Sequence, residues 1–129
     1  MNLWKNYIVK GNERFAANDL EAADALYRAA KREAESLFET WKDANEAVSA
    51  LVVTWHNIAD LYQRQGDTAA ARETLENIHK KMLRNVLATN LSDTRHSALY
   101  RGSIETYSAL LIHKNCYKDC REISRRTIH

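Results

Sequence analysis

The stretch Trp55-His56-Asn57-Ile58-Ala59-Asp60-Leu61-Tyr62-Gln63-Arg64-Gln65-Gly66-Asp67, with Ala71 and Leu75 beyond it, decides how the whole chain is read. Trp55, Ile58, Ala59 and Tyr62 continue the spacing of Val48, Leu51 and Val52, which places all of them on one face of a helix. Gly66 can take the left-handed backbone that closes a helix, and the Asp67 carboxylate can cap the free N–H groups of the next. Ala71, Leu75, Ile78, Met82 and Val86 give that second helix its apolar face. A short turn makes the two antiparallel. The small Ala59 and Ala71 then let them approach closely, while Trp55, Tyr62 and Leu75 fill the space around the contact.

The same periodicity extends in both directions. Ala23, Tyr27, Ala30, Ala34, Leu37 and Trp41 step by four and three along one helical face. Interruptions fall at Asn18-Asp19, Gln65-Gly66-Asp67, Thr89-Asn90 to Ser92-Asp93, and Asn115, and Asp43 with Glu46 resembles a capping box. No segment alternates as a strand does. The spacing predicts six helices, at about residues 2–17, 20–41, 44–65, 68–89, 93–114 and 116–127, joined by short turns into three hairpins.

Composition agrees with one helical domain spanning residues 1–129. The chain has no proline and three glycines, so little in it breaks a helix. Its 45% hydrophobic and 28% charged residues fit a folded globular chain and exclude a disordered one. No run reaches the length of a membrane span and the start lacks the apolar core of a secretion signal, so no membrane and a cytoplasmic address are expected. Cys116 and Cys120 make no disulfide framework and are read as reduced. The net charge of +2 does not announce a nucleic-acid binder, although residues 67–129 carry eleven Lys/Arg against seven Asp/Glu.

The segment from Trp55 to Leu75 resembles a tetratricopeptide (TPR) repeat, with Ile58-Ala59 standing for the family's Leu-Gly pair and Leu75 for its Phe. Tyr7, Gly11, Phe15, Asn18-Asp19, Ala23 and Tyr27 form a looser copy, in which Gly11 and Ala23 take the small sites. Ile104, Tyr107, Ser108 and Leu111, a turn at Asn115, then Cys120 and Ser124 form a weaker third. The copies lie 48 and 49 residues apart, measured from Ala23 to Ala71 to Cys120, against a family period of about 34. The resemblance implies an all-α, right-handed α-α superhelix of three hairpins, with repeats at roughly 2–42, 43–90 and 91–129.

It also implies a groove lined by the first helix of each hairpin, where a peptide or partner protein docks. Projection onto that geometry places Asn12 and Phe15, then His56, Asn57, Asp60 and Arg64, then Glu105, Thr106 and His113 toward the groove, with Ile8, Gln63, Ala109 and Ile112 beside them. Asn12 and Asn57 fall where some family members grip a ligand's backbone, since an amide both donates and accepts. The cationic sites that hold a terminal carboxylate in those members are Ile8, Gly102 and Thr106 here, which argues against chaperone-tail binding.

Other constellations of polar residues are present. His113, Cys116 and Cys120 are spaced for a soft metal on an unbroken helix, but a fourth ligand is lacking unless His129 supplies it, and cysteine is equally a small core residue. Lys80, Lys81 and Arg84, and Lys114, Lys118, Arg121, Arg125 and Arg126, form basic stretches more often explained as solvated helix faces. Glu33, Glu35 and Glu39 are accounted for by pairing with Arg28, Lys31 and Arg32. No phosphate loop, nucleophile elbow or His-Glu-x-x-His is present. The expectation is a non-enzymatic interaction module that needs no cofactor and no metal and binds another protein or peptide. The rival is a small nucleic-acid or anionic-ligand binder using the basic second half. A homodimer is a further possibility, with the final helix, carrying Tyr117, Ile123 and Ile128, as a candidate cap.

Overall fold

The computed structural model describes residues 1–127, with side chains described through residue 115. Among the described residues there are five α-helices and no strand: α1 (Asn2–Ala16), α2 (Leu20–Thr40), α3 (Ala44–Arg64), α4 (Thr68–Ala88) and α5 (His96–Thr127). The expected sixth helix is the second part of α5, which runs through Asn115 without a break. Asparagine costs a helix well under 1 kcal/mol, and neither glycine nor proline stands beside it to enforce a stop. Residues 89–95 form the connection that the spacing places partly inside the fifth helix.

The remaining boundaries follow from local chemistry. Asn18 and Gly66 take positive φ values of 60° and 83°, the left-handed turn that ends α1 and α3. Asp19, Asp43 and Asp67 then each accept a hydrogen bond from the backbone N–H three residues on, at 3.3, 3.2 and 3.0 Å. The capping box expected at Asp43 is only half made. The Glu46 carboxylate accepts instead from the Trp41 indole N–H at 3.0 Å, tying the α2–α3 connection to the first turn of α3.

Each helix packs on the next, and in addition α1 and α5 both pack on α3. Thus α1, α3 and α5 lie side by side in one layer, while α2 covers α1 and α3 and α4 covers α3 and α5. Helix α3 is the centre, which is why its apolar residues run almost all round: Val48, Leu51, Val52, Ile58, Ala59 and Leu61 are all buried. Leu51, Leu61, Ile78, Met82 and Leu99 are fully buried, each contributing about 1.5–3 kcal/mol of transfer free energy. The Thr54 hydroxyl, buried among them, donates to the Ala50 carbonyl and accepts from the Trp4 indole at 2.7 Å, so that hydroxyl and that indole are both satisfied.

Ala59 and Ala71 are both buried, and Ala59 clusters with Leu75 of α4 and Leu110 of α5. Gly11 is buried under Tyr27, as its place at a small site anticipates. The third copy is placed differently. Ile104, Tyr107 and Leu111, expected to pack, are 50%, 51% and 40% exposed, and the close approach of α5 occurs at Gly102. A Cβ there would lie 2.7 Å from Val48 Cγ1 and 3.0 Å from Met82 Sδ. Cys120 and Ser124 of that copy, and Tyr117, Ile123 and Ile128 of the expected cap, lie outside the residues with described side chains.

Candidate partner-binding face

Turning the hairpins so that α2 and α4 cover one side leaves the other side of α1, α3 and α5 to solvent. Most of the residues assigned to a groove lie there, and they meet in pairs across neighbouring helices. The Asn57 amide of α3 donates to Asn12 Oδ1 of α1 at 3.4 Å, and the same oxygen accepts from the Tyr27 hydroxyl at 2.7 Å. The Arg64 guanidinium lies 4.4 Å over the ring of Phe15, again joining α3 to α1. His113 of α5 is hydrogen-bonded through Nε2 to Gln63 of α3 at 3.1 Å, and at the other end Arg101 donates to Asn45. These side chains therefore do structural work between helices before any ligand is considered.

Two residues correct the expectation: Ile8 is buried in the cluster with Tyr27, Ile58 and Leu61 rather than turned to the groove, and Thr106 is turned inward as well. Thr106 is fully buried, its hydroxyl hydrogen-bonded to the Gly102 carbonyl at 2.9 Å and to His79 Nδ1 at 3.0 Å. The third copy is out of phase with the pattern: α5 turns Leu99, Gly102, Ser103, Thr106 and Leu110 inward, so Thr106 faces α4. Glu105, one residue back, is exposed as expected.

Burial changes the ionisation of several groups on this face. His56 Nε2 is buried without a hydrogen-bond partner, and desolvation lowers the imidazole below its ordinary 6.5. His113 is lowered by burial and then by the Arg72 cation. The Asp60 carboxyl is raised by desolvation, and its charge adds to the burial that raises the Tyr27 phenol. Among the described residues none of these groups is hydrogen-bonded into an acid–base pair with another. The arrangement can present donors, acceptors and a desolvated carboxylate to a partner.

A second concavity is not anticipated from sequence. Between α2 and α4, floored by Trp55, Ile58 and Tyr62 of α3, lies a cleft of about 240 Å³. Its α2 wall carries Arg28, which donates to the Tyr62 hydroxyl at 2.7 Å and pairs with Asp24, and Lys31, whose ammonium stands 4.5 Å over the Trp55 ring. Glu73, Thr74 and Asn77 of α4 face them. The cue in the sequence is the spacing of Arg28 and Lys31, but the pairing expected for them with Glu33, Glu35 and Glu39 is not made: Arg28 takes Asp24 and Tyr62, and Lys31 the Trp55 ring.

Of the basic stretches, Lys80 and Arg84 are exposed, but Lys81 is held 5.4 Å over the Phe38 ring. Lys118, Arg121, Arg125 and Arg126 lie outside the described side chains, as do Cys116, Cys120 and His129 of the candidate metal set. Among the described residues no group of three His, Cys, Asp or Glu side chains is placed to hold a metal, and no helix is long and apolar enough to cross a membrane.

Residues 2–128 match the family model described as Protein of unknown function (DUF2753), and the chain belongs to that family. No curated protein and no solved structure matches it.

Proposed function

We propose that this member of the DUF2753 family is a non-catalytic interaction module, a TPR-like right-handed stack whose α1, α3 and α5 face holds a peptide or a partner subunit. The observation that carries the reading is the Asn12–Asn57 pair. Asn12 Oδ1 is occupied by Tyr27 and Asn57, which leaves the Asn12 amide N–H groups and Asn57 Oδ1 without a partner among the described residues. One donor and one acceptor side by side match the C=O and N–H of a peptide unit. Asp60 and Arg64, one and two turns further along α3, add charges of both signs for a partner's side chains. A cytoplasmic setting and the absence of catalysis belong to the same proposal.

Affinity capture with the native chain and an Asn57→Arg variant of equal helicity tests it. A protein retained by the native chain and lost by the variant supports the reading, and one captured equally by both removes the face from it. Nucleic-acid or anion binding through the second half has less behind it, because Lys81 is engaged with Phe38. Labelled RNA that bound tightly at low salt and weakened steeply with added salt would favour it instead.

A further inference from the structure

Helix α5 turns a row of large apolar side chains to solvent. Tyr100, Ile104, Tyr107 and Leu111 are 55%, 50%, 51% and 40% exposed, and their spacing of four, three and four residues puts them on a single stripe. Helix α4 extends the stripe on one side. His79 contacts the Tyr107 ring at a centroid distance of 5.5 Å, and from there Leu83 and Leu87, 41% and 85% exposed, run antiparallel to α5 toward Ile104 and Tyr100. In the stack, α3 is covered by both α2 and α4, whereas α5 has α4 alone. The bare side is where a further helix would lie, and α5 itself continues to Thr127.

We propose that this face is a homodimer interface, with α5 of one copy lying antiparallel against α5 of a second. The spacing is palindromic: about a two-fold axis between Glu105 and Thr106, Tyr100 falls opposite Leu111 of the other copy and Ile104 opposite its Tyr107. A face that is its own complement is what a two-fold contact requires. The positions flanking the stripe are neutral, namely Ser97 and Ser108 on one side and Ser103 on the other, so pairing buries no charge there. Arg101 is turned away to Asn45 on α3, and Lys114, the next residue in line, comes opposite Ser97. Complete cover of these six side chains, on the order of 100 Å² each in two copies, would remove roughly 1,200 Å² from water, which is the lower bound of a stable specific interface. This surface is separate from the polar face that carries the proposed function.

The test is molar mass in solution, by sedimentation or light scattering, on the full chain. The native protein should have the mass of two chains in the micromolar range, and Ile104→Glu should halve it while the helical circular dichroism is unchanged. Val9→Glu, at an equally exposed apolar site on α1, should leave the dimer intact. Tyr100→Lys and Leu111→Glu should each give monomers. The double variant should dimerise again, because the introduced ammonium of each copy then meets the introduced carboxylate of the other, twice across the axis. A native monomer, or a dimer indifferent to Ile104→Glu, overturns the proposal. A double variant that stays monomeric overturns the antiparallel pairing, and if Ile104→Glu fails to fold, the Tyr100 and Leu111 set decides alone.

Discussion

Gly11 and Tyr27 are in direct contact: a Cβ on Gly11 would lie 2.5 Å from Tyr27 Cε1 and 2.7 Å from Cδ1. The ring cannot step aside easily, since it is 2% exposed and its hydroxyl is tied to Asn12. Gly11→Ala gains about 1 kcal/mol of helix propensity and loses roughly 1–3 kcal/mol to overpacking. A lower urea midpoint with unchanged slope is the expected outcome, and an unchanged or higher midpoint would show that Tyr27 yields.

Tyr27→Phe separates the ring from the hydroxyl. It should cost about 1 kcal/mol for the lost hydrogen bond. It also frees Asn12 Oδ1, so the Asn57 side-chain amide signals in an NMR spectrum should shift although residue 57 is not the one changed. No movement of those signals would mean that the Asn12–Asn57 link does not exist in solution.

Glu105 and Thr106 are neighbours in sequence with opposite surroundings. Glu105→Arg should change stability by less than about 0.5 kcal/mol. Thr106→Arg forces a cation into the α4–α5 contact beside His79, and should destabilise by about 3 kcal/mol or more. Equal melting temperatures for the two variants would place Thr106 at the surface, as its sequence position alone suggests.

His56 makes stability depend on pH. Its folded-state pKa is depressed below 6.5, so the folded chain binds fewer protons than the unfolded one in that range. Its contribution is fully present above the unfolded value and is lost as the pH falls through the folded one. Native protein should therefore weaken between pH about 7.5 and about 5.5. His56→Gln should flatten that slope while leaving the remaining His113 contribution, which has the same sign. A slope unaltered by His56→Gln would assign it elsewhere.

Much of the helical layout can be read without coordinates, because caps are local. Asp19, Asp43, Gly66 and Asp67 determine four boundaries through hydrogen bonds within three residues, and the Trp55 to Leu75 pattern yields the central hairpin. What periodicity misses is phase. In α5 both faces carry large apolar residues, Leu99 and Leu110 on one and Tyr100, Ile104, Tyr107 and Leu111 on the other, so spacing alone does not say which packs. Gly102 holds the missing information: a lone glycine inside a helix marks a close approach, and it lies on the face with Thr106. The α2–α4 cleft is illegible for another reason, since it depends on how far two helices not adjacent in sequence diverge.

The position of α3 has a kinetic corollary. It is the neighbour of every other helix, and nearly all of the remaining packing joins elements consecutive along the chain. Such a topology keeps loop closures short and folding fast, in the microsecond to millisecond range of helical proteins. It also grades the amide exchange: protection should be greatest along the middle of α3 and decline through the helices around it, so that either end of the chain can open while the centre stays closed.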